Sequence, residues 1–422
     1  MDMYRIKGGK RLSGQVKISG AKNAALPIIT ASLLADGETV LNNVPDLMDI
    51  HTILQVISFL GAEYDFDTEK NTLRIRVHSI KNATVPYELV KTMRASYYVM
   101  GPLLARLGQA DVSLPGGCAI GERPVDIHLA GFEALGTAIN LEHGYIKAAV
   151  HRLAGAEFKM RSVSVGATAN IMMAAVLAKG KTVLENCAME PDVVDLGNFL
   201  TKMGARISGL GTERIEIEGV KKLEPATYSI IPDRIEAGTY LIAGAATNGE
   251  VMITSMVPEH VRACLSALSD MGFIIESGGD WASVKPSRKL SGTMIKTQPY
   301  PGFPTDLQAP IMALAAIVPG INVIIETIFE NRFTHVGELR RMGADISIEG
   351  NVVIVKGVKS LSSAPIMMSD LRAGAVLIIA GLTAQGETEI RRIYHCDRGY
   401  ERLTEKLTSL GADITRVKGG GL

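Results

Sequence analysis

The sequence predicts a mixed α/β protein of two domains, each assembled from three copies of one unit of about seventy residues. Three observations predict it. A Leu-Gly or Met-Gly dipeptide recurs six times, at Leu60-Gly61, Leu135-Gly136, Met203-Gly204, Met271-Gly272, Met342-Gly343 and Leu410-Gly411. Amphipathic helical patterns precede these glycines and alternating, strand-like residues follow them. A second set of helical stretches is rich in Ala, Met, Ile and Leu on every side, as expected of helices enclosed by a domain.

The first copy shows the plan. A buried helix over Ala24–Leu34 leads through the turn Asp36-Gly37-Glu38 into a strand at Thr39-Val40-Leu41. A surface helix over Asp49–Leu60 ends at Gly61, which fits the left-handed position just past a helix terminus. Alternation over Thr72–Val77 marks the closing strand. Further buried helices are expected over Tyr97–Leu107, Ala169–Ala178, Ala237–Ala246, Leu307–Ile317 and Ala373–Leu382. Further surface helices are expected over Asp195–Met203, His260–Met271, His335–Met342 and Gly399–Leu410.

Units this thin cannot bury both faces alone, so three around a core make one domain and six make two. The seam is expected near Tyr228–Pro232, giving a first domain over 22–231 and a second over 1–21 plus 232–422. The last copy stops soon after Gly411, before its final strands. The segment Met3–Ile18 is expected to supply the missing edge, so that the chain crosses between domains twice.

Composition narrows the function classes. The 422 residues include 44 basic and 44 acidic side chains, so no overall field draws nucleic acid or a membrane surface. Any anion site must be local. No apolar run reaches the ~18 residues that span a bilayer. The four cysteines, Cys118, Cys187, Cys264 and Cys396, form no C-x-x-C pair, which argues for a reducing compartment and against a zinc knuckle. A cytoplasmic protein is expected, with no membrane insertion and no nucleic-acid partner.

The polar residues at the starts of the buried helices stand out. They are Lys22-Asn23, Arg94, Ser164-Val165-Gly166, Asp233-Arg234 with Glu236, Asp306, and Asp370 with Arg372. Asp and Ser at such positions are ordinarily caps, but capping does not call for Lys or Arg. If the helices of a domain run parallel, these mouths gather on one face. Two such faces would suit a substrate bearing phosphates and hydroxyls. One loop carries chemistry of its own. L-P-G-G-C-A-I-G-E-R-P-V-D-I-H, from Leu114 to His128, cannot be helix or central strand at Pro115-Gly116-Gly117. It presents Cys118 near solvent, with Arg123 close by to hold an anion.

With these motifs assembled, the chain resembles the enolpyruvyl transferase family, in its UDP-N-acetylglucosamine 1-carboxyvinyltransferase branch. The resemblance rests on S-G-A-K-N-A-A-L-P, the Leu114–His128 loop, P-T-D-L-Q, E-N-R-F at Glu330–Phe333, D-L-R-A, and C-D-R-G-Y-E-R. It implies a two-domain inside-out α/β barrel. It implies transfer of the enolpyruvyl group of phosphoenolpyruvate to the 3-hydroxyl of UDP-N-acetylglucosamine, with release of phosphate, at the opening of peptidoglycan synthesis. In that scheme Cys118 protonates the methylene carbon, and can also carry a covalent phosphoenolpyruvate-derived adduct. Lys22, Arg123 and Arg398 hold the phosphate and carboxylate of phosphoenolpyruvate. Asp306 takes the proton of the sugar hydroxyl. The sugar nucleotide meets Asn23, Arg94, Arg123, Pro124, Val125, Asp126, Ile127, Ser162, Val163, Ser164, Val165, Asp306 and Ile328. Arg332, Asp370 and Arg372 line the cleft.

No metal or organic cofactor is implied, and a monomer is expected. One departure stands out: Ser162 occupies a position where many family members have Lys, with Arg161 beside it. Two rivals share the architecture, a transferase acting on shikimate 3-phosphate and a catalytically silent sugar-nucleotide sensor. Cys118 in its loop argues against the first, and the full set of candidate groups against the second.

Overall fold

The computed structural model describes residues 2–91, 93–113 and 125–419. These form two compact units, one of residues 2–19 and 232–419, the other of 20–113 and 125–231. Each unit contains three four-stranded sheets, and all six sheets repeat one plan. In the first, Gly37–Asn42 pairs antiparallel with Thr72–Val77, which pairs antiparallel with Glu63–Asp67. A fourth strand, Thr227–Ser229, lies parallel along the free side of Gly37–Asn42.

The opening segment departs from the expected edge. It supplies two strands to two sheets. Met3–Lys7 lies inside the sixth sheet, antiparallel to both Glu387–Arg391 and Asp413–Val417. Ser13–Lys17 lies parallel along the rim of the fourth, against Glu250–Thr254. The inner place follows from the plan, because the last copy ends on its outer strand and lacks the one between. Tyr4 and Ile6 point from that place into the core.

Six central helices fill the interiors of the units. We number them α1 (Lys22–Ala31), α2 (Met100–Leu107), α3 (Val165–Ala175), α4 (Arg234–Ala246), α5 (Gln308–Ala315) and α6 (Leu371–Thr383). Nearly all their residues are buried, which explains why they are apolar all round. In one unit α2 packs on α3; in the other α4, α5 and α6 pack on one another. Gly101 permits the first contact, since a Cβ there would sit 2.4 Å from the Asn170 carbonyl oxygen. All six starts differ from the sequence reading, those of α1, α4, α5 and α6 by one to three residues. Arg94–Val99 is a 3-10 turn ahead of α2, and α3 begins at Val165 rather than Ala169.

The six dipeptide glycines all take left-handed φ between 90° and 113°, ending the surface helices as expected. The sheets lie against the outer faces of the central helices. Each sheet remains open, and none closes into a barrel among the described residues. The inside-out description therefore holds only as helices within and sheets without. Among the described residues no helix is long and apolar enough to cross a membrane.

Candidate active site

Lys22 is the first residue of α1, where a cation opposes the positive end of the helix dipole. Its Nζ donates to Asp49 Oδ2 at 2.9 Å, and both residues are buried. Asp49 sits in the first turn of the surface helix Met48–Phe59 and offsets both the dipole and the lost hydration. Sequence reasoning missed Asp49, because an acidic residue in a first turn reads as dipole compensation for its own helix.

In the same unit Ser164 caps α3, its hydroxyl accepting from Ala167 N at 3.2 Å. Beside it, the buried Asn170 amide donates to Tyr97 O at 2.8 Å and to His128 Nδ1 at 3.2 Å, and accepts from Gly101 N at 2.8 Å. A neutral His128 in this setting accepts at Nδ1 and carries its proton on Nε2. That nitrogen lies over Gly166, where a Cβ would approach it to 3.1 Å. Asp126 opens the helix Asp126–Ala134 and pairs with Arg161 through Oδ2. Its Oδ1 is buried with no partner among the described residues. Arg161 is thus tied to Asp126, while Ser162 and Val163 are exposed.

In the other unit Asp306 lies in the 3-10 turn Thr305–Leu307 that leads into α5. Its Oδ1 accepts from Arg332 Nη2 at 2.6 Å and its Oδ2 from Arg372 Nη2 at 2.7 Å. Both arginines are buried, whereas the Asp306 side chain keeps 26% of its surface exposed, enough for a hydroxyl to reach it. Burial works against the charge of Arg372, and the neighbouring Asp306 and Tyr400 overcome it, leaving the guanidinium firmly protonated. Arg372 also donates to Tyr400 OH at 3.3 Å, and that hydroxyl meets Thr239 Oγ1 on α4 at 3.1 Å. The mouths of α4, α5 and α6 are thereby linked in one polar chain.

Asp370 is the N-cap of α6. Its Oδ1 accepts from the amides of Arg372 and Ala373, and its Oδ2 from the hydroxyls of Thr334 and Ser369. Burial would raise this carboxyl, but the Ala373 amide, the Ser369 hydroxyl and the charge of Arg332 hold it below its ordinary value. His335, fully enclosed nearby, is pushed down to about 4, chiefly by burial, and is neutral near pH 7. Ile328 is 37% exposed, and Arg398, half-buried, ends the 3-10 turn Ile393–Arg398.

The sequence matches the EPSP synthase (3-phosphoshikimate 1-carboxyvinyltransferase) family over residues 6–407. A curated relative from Geotalea uraniireducens, named UDP-N-acetylglucosamine 1-carboxyvinyltransferase, is 54% identical over 99% of this chain and 100% of its own length. The chain belongs to the UDP-N-acetylglucosamine 1-carboxyvinyltransferase family. Among solved structures, the enolpyruvyl transferase NikO from Streptomyces tendae aligns over 99% of each chain at TM-score 0.89 and 27% identity. EPSP synthase from Acinetobacter baumannii aligns over 99% of this chain and 100% of its own at TM-score 0.76 and 19% identity, a likeness of fold.

For a UDP-N-acetylglucosamine 1-carboxyvinyltransferase the fate of each thiol matters. Cys187 is pushed up to about 11 and Cys264 to about 12 by burial, and Cys396 is raised further by burial and by Asp397. These three are buried, and their raised values leave them protonated near neutrality. Cys118, Arg123, Pro124 and the side chain of Arg94 lie outside the described residues. The remaining candidates divide between the units. Lys22, Asn23, Val125, Asp126, Ile127, Ser162, Val163, Ser164 and Val165 belong to one, and Asp306, Ile328, Arg332, Asp370, Arg372 and Arg398 to the other.

Proposed function

We propose that this chain transfers the enolpyruvyl group of phosphoenolpyruvate to the 3-hydroxyl of UDP-N-acetylglucosamine, releasing phosphate. The observation that carries the reading is full-length identity of 54% to a relative of that name. The Asp306–Arg332–Arg372 cluster supports the assignment of a proton acceptor.

The reaction is an addition followed by an elimination. The sugar oxygen bonds to C2 of phosphoenolpyruvate as its proton passes to Asp306. Cys118 delivers a proton to the C3 methylene, and a tetrahedral ketal results. The Cys118 thiolate then takes a proton back from C3 as the bond from C2 to the phosphate oxygen breaks, which restores the vinyl group, and the proton held by Asp306 leaves with the phosphate. Protonating carbon is slow in water, so the acid must be held close to C3. Two guanidiniums keep Asp306 oriented until the hydroxyl arrives, and the carboxylate offsets positive charge developing at C2. Lys22, Arg123 and Arg398 hold the dianionic phosphate and the carboxylate of phosphoenolpyruvate. Val125, Asp126, Ile127 and the Ser162–Val165 segment meet the nucleotide. Asn23, Arg94, Pro124 and Ile328 complete the sugar-nucleotide contacts, with Arg332, Asp370 and Arg372 as support. The chain works as a cytoplasmic monomer without a resident metal or organic cofactor.

Phosphate release from phosphoenolpyruvate tests the reading. Release with UDP-N-acetylglucosamine and none with shikimate 3-phosphate is expected; release with neither favours a silent sensor. Cys118→Ala is expected to abolish turnover, the phosphoenolpyruvate-sized mass adduct and alkylation by the epoxide fosfomycin. Full activity in that variant overturns the acid assignment.

A further inference from the structure

Glu326 follows the strand Ile321–Ile325 and is 2% exposed. Its Oε1 accepts from Thr297 Oγ1 at 2.9 Å, from Ile328 N at 2.8 Å and from Phe329 N at 3.2 Å. Its Oε2 accepts from Thr305 Oγ1 at 2.8 Å. The main chain of Glu326 is fixed as well, its amide donating to Asn351 O at 2.9 Å and its carbonyl accepting from Asn351 Nδ2 at 3.2 Å. All four partners of the carboxylate among the described residues are neutral donors. Burying a carboxylate is costly, and donors aimed at both oxygens make it tolerable.

What the carboxylate joins is informative. Thr305 immediately precedes Asp306. Ile328 and Phe329 form the turn that presents the half-exposed Ile328. One oxygen holds the first segment and the other holds the second. We propose that Glu326 is a positioning residue for enolpyruvyl transfer, fixing the turn that carries Asp306 against the turn that carries Ile328. The sugar hydroxyl and the rest of the sugar nucleotide then meet a preset pair of contacts. The inference rests on the reading above, in which Asp306 and Ile328 handle the sugar nucleotide.

Two substitutions separate this role from general support of the fold. Thr305→Val cuts only the link to Oε2 and keeps the side-chain shape. Glu326→Gln keeps an acceptor for the two amides, turns its NH₂ toward Thr305, and removes the charge. Both are expected to melt close to the wild type. Thr305→Val should lower kcat on the order of 10-fold, with both KM values held within about twofold, and Thr305→Ser should restore it. Glu326→Gln should raise KM for UDP-N-acetylglucosamine several-fold and leave KM for phosphoenolpyruvate unchanged. If Glu326 served only the fold, either variant would lower the melting temperature or the active fraction and leave KM and per-site kcat alone. That result, or wild-type kinetics in Thr305→Val, overturns the proposal. Asp306→Ala, run alongside, keeps the two readings apart. An active Asp306→Ala sinks the site assignment, whereas an inactive one beside wild-type Thr305→Val and Glu326→Gln sinks only the role of Glu326.

Discussion

The two units bury charge at the mouths of their central helices in different ways. In one, Lys22 donates to Asp49, the cation at a helix start that disfavours it. In the other, one carboxylate faces two guanidiniums at a helix start that favours the carboxylate. An anion approaching Lys22 must share it with Asp49. A hydroxyl approaching Asp306 meets an anion already held in place. The pair is suited to release and recapture, the cluster to rigidity.

The largest effect expected from breaking this contrast is in the cluster. Asp306→Ala should cut phosphate release by about 10²–10⁴-fold. It should also destabilise its unit by roughly 3–5 kcal/mol, because two buried guanidiniums lose the carboxylate they both bond. A melt matching the wild type would show that solvent reaches both arginines. Asp49→Ala comes next, removing the carboxylate bonded to the buried Lys22 at a cost of about 3 kcal/mol. Adding Lys22→Met should return most of that stability, and failure to do so would mean that Asp49 supports the helix Met48–Phe59 rather than Lys22.

Acid sharpens the comparison, because a buried group in each unit, Asp195 in one and His335 in the other, responds with opposite sign. Burial raises Asp195 from 3.8 to about 6, although Tyr228 OH at 2.6 Å and Ile231 N at 3.3 Å donate to it. Its protonated form fits the fold better, so its contribution is fully present below about pH 4 and lost as pH rises through 6. His335 is lowered from 6.5 to about 4, so its contribution is present above pH 6.5 and lost as pH falls through 4. Each is worth up to about 3 kcal/mol. Denaturation between pH 4 and 7 should show wild type gaining on Asp195→Asn as pH falls and losing ground to His335→Gln. Parallel curves would remove both assignments. The smallest effect is at a cap: Ser164→Ala should cost about 1 kcal/mol, read as a small fall in melting temperature.

The repeat was legible because the same local need, a left-handed residue after a helix, puts glycine at one place in each copy. The central helices were legible because enclosure on all sides demands apolar residues on all sides. Their first turns were less so. Ser164 to Thr168, with a serine, a glycine and two β-branched residues, suit a loop as well as a helix, and the bonds from Ala167 N to the Ser164 hydroxyl and from Thr168 N to the Ser164 carbonyl decide between them. At the candidate site, Asp306 and Arg372 were singled out at helix starts and Arg332 through the family resemblance, and their meeting is a fact of folding. Asp49 and Glu326 were not singled out. What marks them is a partner distant in sequence, Lys22 for one and Thr297 and Thr305 for the other, and no local pattern announces such a partner.

The inner place of Met3–Lys7 in the sixth sheet bears on how the protein is made. A ribosome releases that strand first and its two neighbours last. Through nearly all of translation its hydrogen-bonding groups and the side chains of Tyr4 and Ile6 have no native station. The unit it completes can close only once residues 387–417 have been made, a join between strands far apart in sequence that is slow by its topology. The unit of residues 20–231 has no such wait, and is expected to stand folded while the other is still being spun out.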